Sequence, residues 1–240
     1  YEIAQCLVGS EMCIRDSIGS DQKLRLYELP KYFQDISIEH SEAAGVGIPY
    51  LAPRSLAWLL TSWQIDIERL PVYNEVVTVR TWPYSFRSSF GYRNYEIIDA
   101  EGRQIVKAYA LWLHTDIANM KPAVTLPEEY SKYGLDEQLE MEYQPRKITL
   151  PAEMDEVDQV LVTEHYADMY QHMNNAMYVD IASDYLPENA EIIRIRVDYR
   201  KQVKIGDRMH IRRHLAEDRC YVAFYDNAGD MHVSTEFMIR

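Results

Sequence analysis

Residues 168–175 read DMYQHMNN, which places a carboxylate, a phenol and an imidazole (Asp168, Tyr170 and His172) within five positions, with Asn174 and Asn175 directly behind. Asparagine is a preferred helix N-cap because its side-chain oxygen accepts an otherwise orphaned backbone N–H. Tyr178, Val179, Ala182, Tyr185 and Leu186 then recur at helical spacing, and Pro187 ends the run. A polar cluster carried to the positive end of an apolar helix suits polarisation of a carbonyl or stabilisation of an oxyanion. An ordinary capped helix beneath a decorated surface loop would show the same spacing, and the spacing does not separate the two readings.

Composition bounds what this cluster belongs to. At 240 residues, the chain fits one large domain or two of about 100 to 130 residues, each able to enclose its own core. Hydrophobic residues make up 47% and there are 19 tyrosines, a composition that implies a packed globular body. No apolar run is long enough to cross a bilayer and no secretory leader opens the chain, so a soluble cytoplasmic protein with no membrane role is expected. Three cysteines, Cys6, Cys13 and Cys220, are too few and too unpatterned for a zinc site or a disulfide framework, and neither metal nor cofactor is expected. The net charge of −13 argues against nucleic acid as a partner.

The charge is unevenly spread. Arg194, Arg196, Arg200, Lys201, Lys204, Arg208, Arg212 and Arg213 crowd one stretch against only Asp198 and Asp207. Such a ribbon is either a solvated strand face or a docking strip for an acidic partner.

Residues 1–17 carry two of the three cysteines and lack a sustained period, and CLVGSEMCIRDS resembles a translated sequencing adapter. They are set aside from the fold, with YEI and IGSDQKL expected as remnants of an N-terminal strand. From Leu29, the positions Tyr32, Phe33, Ile36, His40 and Ala43 step by three and four up to Gly45, which predicts an amphipathic helix with His40 packed on its apolar stripe. Strands are predicted at 58–69, 75–84, 90–98 and 104–116, separated by turn residues. Residues 117–156 read as a linker with one short helix near Glu128 to Tyr133. Strand character returns at 159–166, and after the Asn-capped helix at 192–199, 207–216, 219–225 and 231–239.

The halves overlay at constant offset. Ile65 to Arg69 followed by Asn74 to Arg80 matches Val197 to Lys201 followed by Gly206 to Arg212, and the turn Asp99 to Gly102 answers Asp226 to Gly229. The chain is therefore an internal duplication, with one helix and about four antiparallel strands in each copy. The predicted units are 18–121 and 157–240, with 122–156 between them. A groove between two such units would hold an extended apolar chain. Tyr32, Phe33, Trp58 and Trp63 are candidate walls, for each of which plain core packing is the alternative.

Helix plus wrapped antiparallel sheet in tandem is the α+β double-hotdog architecture. LYELPKYFQDISIEHSEAAG, LAWLLTSWQIDIERLPVYNEVVTVRTWP, YEIIDAEG with ALWLHTD, and DMYQHMNNAMYVD with RVDYRKQVKIGD resemble the acyl-ACP thioesterase family over about residues 20–240. The resemblance implies hydrolysis of the thioester between a fatty acyl chain and the phosphopantetheine of acyl carrier protein, ending elongation with release of free acid. It also implies a catalytic Asp-x-Asn-x-His stretch before the second helix and a Glu on the strand after it. By position the Asp is Asp168 and the His is His172. Tyr170 stands in place of the Asn, Gln202 in place of the Glu, and Val203 where plant members carry a cysteine.

Hydrolysis needs a positioned water, a group to take its proton, and donors to the oxyanion. Val203 offers no nucleophile, Gln202 can orient water but not deprotonate it, and Cys220 reads as a buried inert thiol. Asp168 is then the expected base with His172 orienting or sharing the proton, while Tyr170 and the N–H groups near Asn174 and Asn175 polarise the carbonyl. Arg200, Lys201, Lys204 and Arg208 are the expected carrier-docking residues. Two alternatives stay open: an acyl-CoA thioesterase, and a non-catalytic acyl- or carrier-binding module that lost its chemistry with Tyr170 and Gln202. A monomer and a homodimer are both compatible with the tandem.

Overall fold

The computed structural model describes residues 2–6, 17–168 and 170–240. The chain divides into two compact units, Tyr1–Thr61 with Ile67–Glu142 and Ser62–Asp66 with Tyr143–Arg240.

In the first unit, α1 (Glu28–Ala43) forms where the apolar spacing predicts it. Leu29, Phe33, Ile36 and His40 are its buried stripe. Gly45, at φ 71°, supplies the left-handed residue that turns the chain out of the helix. A short helix α2 (Ile48–Leu51) follows, then β2 (Leu56–Ile67), β3 (Val76–Arg87), β4 (Phe90–Asp99), β5 (Gln104–Asp116), the two-residue β6 (Lys121–Pro122) and the short helix α3 (Pro127–Tyr130). The strand order is β1-β3-β4-β5-β2, where β1 is Glu2–Cys6, paired antiparallel with β3 from Glu2 opposite Arg80 to Cys6 opposite Val76. α1 packs on the sheet through Phe33, whose ring centroid lies 5.0 Å from that of Tyr95. The Tyr95 hydroxyl is bonded on both sides, 2.8 Å from Ser37 Oγ and 3.1 Å from Trp112 Nε1. Burying a ring the size of Phe33 contributes roughly 1.5–3 kcal/mol, so this contact is a principal anchor of the helix.

The second unit repeats the plan with β7 (Asp155–Leu161), α4 (Asn175–Ser183), β8 (Ile192–Tyr199), β9 (Arg208–Leu215), β10 (Arg219–Tyr225) and β11 (Met231–Ile239), in the order β8-β11-β10-β9-β7. Ser62–Asp66 of β2 adds to its open side, antiparallel to β8 from Ser62 opposite Asp198 to Asp66 opposite Arg194. Tyr178 of α4 meets the rings of Phe224 and Tyr199 edge-on at 5.2 and 5.9 Å.

Each internal match extends to hydrogen bonds. Asp99 Oδ1 accepts the N–H groups of Glu101 and Arg103, and Asp226 Oδ1 accepts those of Ala228 and Asp230; Gly102 and Gly229 close the two turns at φ 81° and 83°. A further echo precedes the two helices. Gly19 N–H donates to Lys23 O at 2.8 Å and Gln22 N–H to Gly19 O at 3.0 Å. In the second unit, Asp168 N–H donates to His172 O at 2.8 Å and Gln171 N–H to Asp168 O at 3.0 Å. Gln22 and Gln171 are both left-handed, and Leu24 N–H to Pro71 O matches Met173 N–H to Val203 O. Residues Ile18 to Leu24 are therefore a closed turn, not the strand remnant that IGSDQKL suggests. Residues 7–16, with most of the adapter-like segment, lie outside the described residues.

Three further expectations differ from what forms. The strand expected at 159–166 is β7 at Asp155–Leu161; it is an exposed edge strand with an irregularity between Glu156 and Asp158, so it lacks apolar alternation. The expected linker is tethered along its length. Leu139 N–H donates to Asn94 Oδ1 and Trp82 Nε1 to Glu137 O in the first unit, while Gln144 N–H donates to Gln64 Oε1 in the second. Half of the basic ribbon, four of its eight cations, is neutralised. Arg194 pairs with Asp66 at 2.6 Å, buried Arg196 with Glu236 at 3.0 Å, Arg200 with Asp198 and Lys201 with Asp230. Alternation puts Arg194, Arg196 and Asp198 on one face of β8, where Asp66 and Glu236 answer the two arginines and Arg146 and Arg200 answer Asp198. No helix among the described residues is long and apolar enough to cross a membrane.

Candidate active site

The second unit holds the DMYQHMNN stretch between β7 and α4. Ala167 and Met173 bridge across its base, His172 bridges to Lys204, and Met173 N–H donates to Val203 O, so the turn is pinned to the β8–β9 connection. Inside the turn, Asp168 Oδ1 accepts two main-chain N–H groups, from Tyr170 at 2.8 Å and His172 at 3.1 Å. Charge-assisted bonds of this kind hold a carboxylate firmly. Its other oxygen, Oδ2, makes no hydrogen bond to a described residue and can face a water. The carboxylate also acts on its surroundings: burial, then the charges of Asp207 and Asp168, push the Tyr178 phenol well above its ordinary value.

The helix start is built as the asparagine predicts. Asn174 Oδ1 accepts Ala176 N–H at 2.9 Å, and Asn174 N–H donates to Tyr166 O. Tyr199 Oη donates to Asn175 O at 2.8 Å, tying the first residue of α4 to β8. The N–H groups near Asn174 and Asn175 differ from the free donors the sequence suggests. Those of Asn174, Ala176 and Met177 are all engaged within the chain. The helix-end donor left without a described partner is the Asn174 side-chain amide, oriented by the bond its own oxygen makes.

Asp168, His172, Asn174 and Asn175 are thus brought together and half-buried. Tyr170 differs from them in exposure: its side chain is 59% exposed, and an oxyanion donor acts where water is excluded. Gln202 is also exposed, beside a fully buried Val203. Cys220 is a buried free thiol, its Sγ 3.6 Å from Tyr185 O, and burial pushes its pKa up, as an inert core cysteine requires. Among the described residues no group of three or more His, Cys, Asp or Glu converges as a metal site.

The equivalent turn of the first unit separates scaffold from chemistry. There Gly19 replaces Asp168, Lys23 replaces His172, and Asp21 Oδ1 accepts the Lys23 N–H at 3.1 Å. A Cβ built on Gly19 would stand 2.8 Å from that Asp21 oxygen. A carboxylate therefore pins both turns, through the main-chain N–H of Lys23 in the first and of His172 in the second, and only in the second does that residue carry an imidazole.

The four expected groove aromatics fall into different places. Trp58 lines a cavity of about 50 Å³ in the first unit with Ser41, Phe86, Arg93, Trp112 and Tyr133. Phe33 and Trp63 are core side chains, at 0% and 2% exposure, and Tyr32 is half-buried beside them in sequence without lining that cavity. His40 is packed as expected, its Nδ1 2.9 Å from Arg93 Nη1. Burial, then the Arg93 charge, push its pKa down to about 4, so it is neutral at physiological pH. Arg93 itself was legible in the sequence, because the register that buries Tyr95 and Ile97 buries it too.

A helix laid on an antiparallel sheet, twice over, is the double-hotdog class, and solved structures share it along the whole chain. An acyl-ACP thioesterase from Bacteroides thetaiotaomicron superposes with TM-score 0.88 at 20% identity, covering 100% of this chain and 96% of that one. The 12:0-ACP thioesterase from Umbellularia californica gives TM-score 0.85 at 15% identity, covering 100% and 96%. The model of the acyl-ACP thioesterase N-terminal domain matches residues 11–133 and that of the C-terminal domain residues 151–237; the chain belongs to the acyl-ACP thioesterase family. A chloroplastic palmitoyl-acyl carrier protein thioesterase from Gossypium hirsutum is 24% identical over 212 residues, covering 77% of this chain. The chain spans about half the length, 49%, of that curated relative.

Proposed function

We propose that the chain hydrolyses the thioester between a fatty acyl group and the phosphopantetheine arm of acyl carrier protein. Membership of the family supports the reaction class. The observation that carries the site is the Asp168 carboxylate, fixed through one oxygen by two main-chain N–H groups and left with the other oxygen free beside His172.

In this reading Asp168 Oδ2 accepts a proton from a bound water as its oxygen attacks the thioester carbonyl carbon. The Asn174 side-chain amide and the positive end of α4 stabilise the oxyanion that forms. Collapse of the tetrahedral intermediate breaks the carbon–sulfur bond, and the proton taken from water passes through the His172 imidazole to the departing thiolate. Free acid and the carrier thiol are the products. Tyr170, exposed, and Gln202, an amide, have no proton-transfer role in this scheme.

Lys204 and Arg208 are the docking residues for an acidic carrier surface. Both are exposed, neither has an ion pair among the described residues, and Lys204 bridges directly to His172. Arg200 and Lys201, expected beside them, are already answered by Asp198 and Asp230. Comparing kcat/KM for one acyl chain on carrier protein and on CoA tests this. Lys204→Glu with Arg208→Glu is expected to raise KM at least tenfold for the carrier substrate and to leave the CoA substrate little changed. Equal losses on both, or higher efficiency on CoA, would favour the acyl-CoA reading; stoichiometric acyl binding without turnover would favour the non-catalytic one.

A further inference from the structure

In the second unit a buried carboxylate holds two arginines at once. Asp198 is 1% exposed. Its neighbour Tyr199 faces α4, 5.9 Å from the Tyr178 ring, so alternation places Asp198 on the other face of the sheet. Residues 144–146 cross that face: Gln144 N–H donates to Gln64 Oε1, and Arg196 donates to Pro145 O. There Arg146 Nε stands 3.2 Å from Asp198 Oδ1, and Arg200 Nε stands 3.0 Å from Oδ2. Ser62 and Ser234 flank Asp198 in register on β2 and β11, yet their buried hydroxyls bond to no described residue. The two arginines are therefore the carboxylate's only partners among the described residues.

A buried carboxylate is costly unless an opposite charge answers it, and one arginine would do so. The second leaves a surplus positive charge at this point of a chain whose net charge is −13. Each guanidinium meets Asp198 through Nε, and no Nη nitrogen of either has a hydrogen-bond partner among the described residues. The adjacent arginines of β8 are used up by contrast. Arg194 gives Nε and Nη2 to the two oxygens of Asp66, and Arg196 gives Nη1 to Glu236 and Nη2 to Pro145 O. The side chains of Arg146 and Arg200 are 42% and 32% exposed, so their Nη groups are open to solvent while Nε is fixed.

Two guanidinium forks anchored on one carboxylate suit a ligand with several acceptor oxygens and more than one negative charge. The planar fork matches the oxygens of carboxylates and phosphates bidentately. A carboxylate or a phosphodiester offers two free oxygens and one charge, whereas a terminal phosphate offers three and carries about −1.5 to −2 at pH 7. We propose that Arg146 and Arg200, positioned by Asp198, bind a terminal phosphate, either inorganic phosphate or a phosphomonoester. The site uses neither Lys204 nor Arg208, the residues assigned to the carrier, and binding there requires no thioester chemistry at Asp168.

Titration calorimetry of the full chain at fixed ionic strength, with inorganic phosphate, phenyl phosphate, dimethyl phosphate and acetate, tests it. The wild type is expected to bind inorganic phosphate or phenyl phosphate saturably and at least tenfold more tightly than dimethyl phosphate or acetate. Whichever of the first two binds more tightly tells the free ion from an ester as the source. Arg146→Gln and Arg200→Gln are each expected to weaken phosphate at least tenfold. Lys147→Gln removes the same charge from the next, exposed residue and is expected to change affinity less than twofold. No saturable phosphate binding, equal affinity for acetate, or equal losses in Arg146→Gln and Lys147→Gln would overturn the site. Should Arg200→Gln not fold, the wild-type preference and the comparison of Arg146→Gln with Lys147→Gln decide the question.

Discussion

Asp168 and His172 are joined through the backbone: the main-chain N–H of His172 donates to Asp168 Oδ1 at 3.1 Å, while the imidazole makes no hydrogen bond to a described residue. The carboxylate therefore has a structural task separable from its chemistry. Asparagine keeps an Oδ1 acceptor for the N–H groups of Tyr170 and His172, whereas alanine leaves both without it. Asp168→Asn is expected to melt within about 2 °C of the wild type, while Asp168→Ala loses about 1–3 kcal/mol in chemical denaturation. Equal destabilisation by both substitutions would show that the turn does not depend on that acceptor.

Asn174 separates cap from donor in the same way. Its oxygen caps α4 through Ala176 N–H at 2.9 Å, and its amide N–H is the proposed oxyanion donor. Asn174→Ala should cost about 1 kcal/mol of stability. Asn174→Asp keeps the cap, so its stability should match the wild type while kcat falls roughly 100-fold or more. An Asn174→Asp enzyme with unchanged kcat would remove the amide from the mechanism.

The His40–Arg93 pair sets a pH dependence of stability. The folded chain keeps His40 neutral down to about pH 4, while the unfolded chain protonates it near its ordinary value of 6.5. Between those values the unfolded state binds the extra proton, so stability rises with pH across the window and is lost as pH falls through it. The loss from pH 6.5 to 4 amounts to as much as about 3 kcal/mol. His40→Gln, which can still accept from Arg93, should flatten the denaturation midpoint between pH 4 and 6.5; an unchanged slope would show that His40 does not carry it.

Much of this architecture is written in the chain. The strands at Gln104–Asp116, Ile192–Tyr199, Arg219–Tyr225 and Met231–Ile239 form at the expected bounds, because their apolar residues alternate and Asp99 to Gly102 and Asp226 to Gly229 are strong turns. β7 was hidden because an edge strand reading DEVDQVL shows no buried face. The second turn echo was hidden because Gln22 and Gln171 are its only shared residue type, and backbone conformation, unlike apolar spacing, leaves little mark on composition.

The candidate site was legible as a cluster and not as an arrangement. DMYQHMNN fixes that Asp168, His172 and Asn174 lie near the start of α4. Which oxygen of Asp168 is engaged, and that Tyr170 faces solvent, depend on the pairing of Met173 with Val203 and of His172 with Lys204, contacts made some thirty residues away. The same long-range pairing removed Arg194 and Arg196 from the basic ribbon, since Asp66 and Glu236 come from distant strands.

The most direct measurement is single-turnover release of fatty acid from acyl carrier protein loaded with a mixed set of acyl chains, using excess wild type, Asp168→Asn or His172→Ala. The wild type is expected to release free acid, and Asp168→Asn, still folded and still binding acyl carrier, to release it at least 100-fold more slowly, with His172→Ala also impaired. Wild-type rates in a folded Asp168→Asn protein, or no acid from the wild type on any chain, would contradict the account.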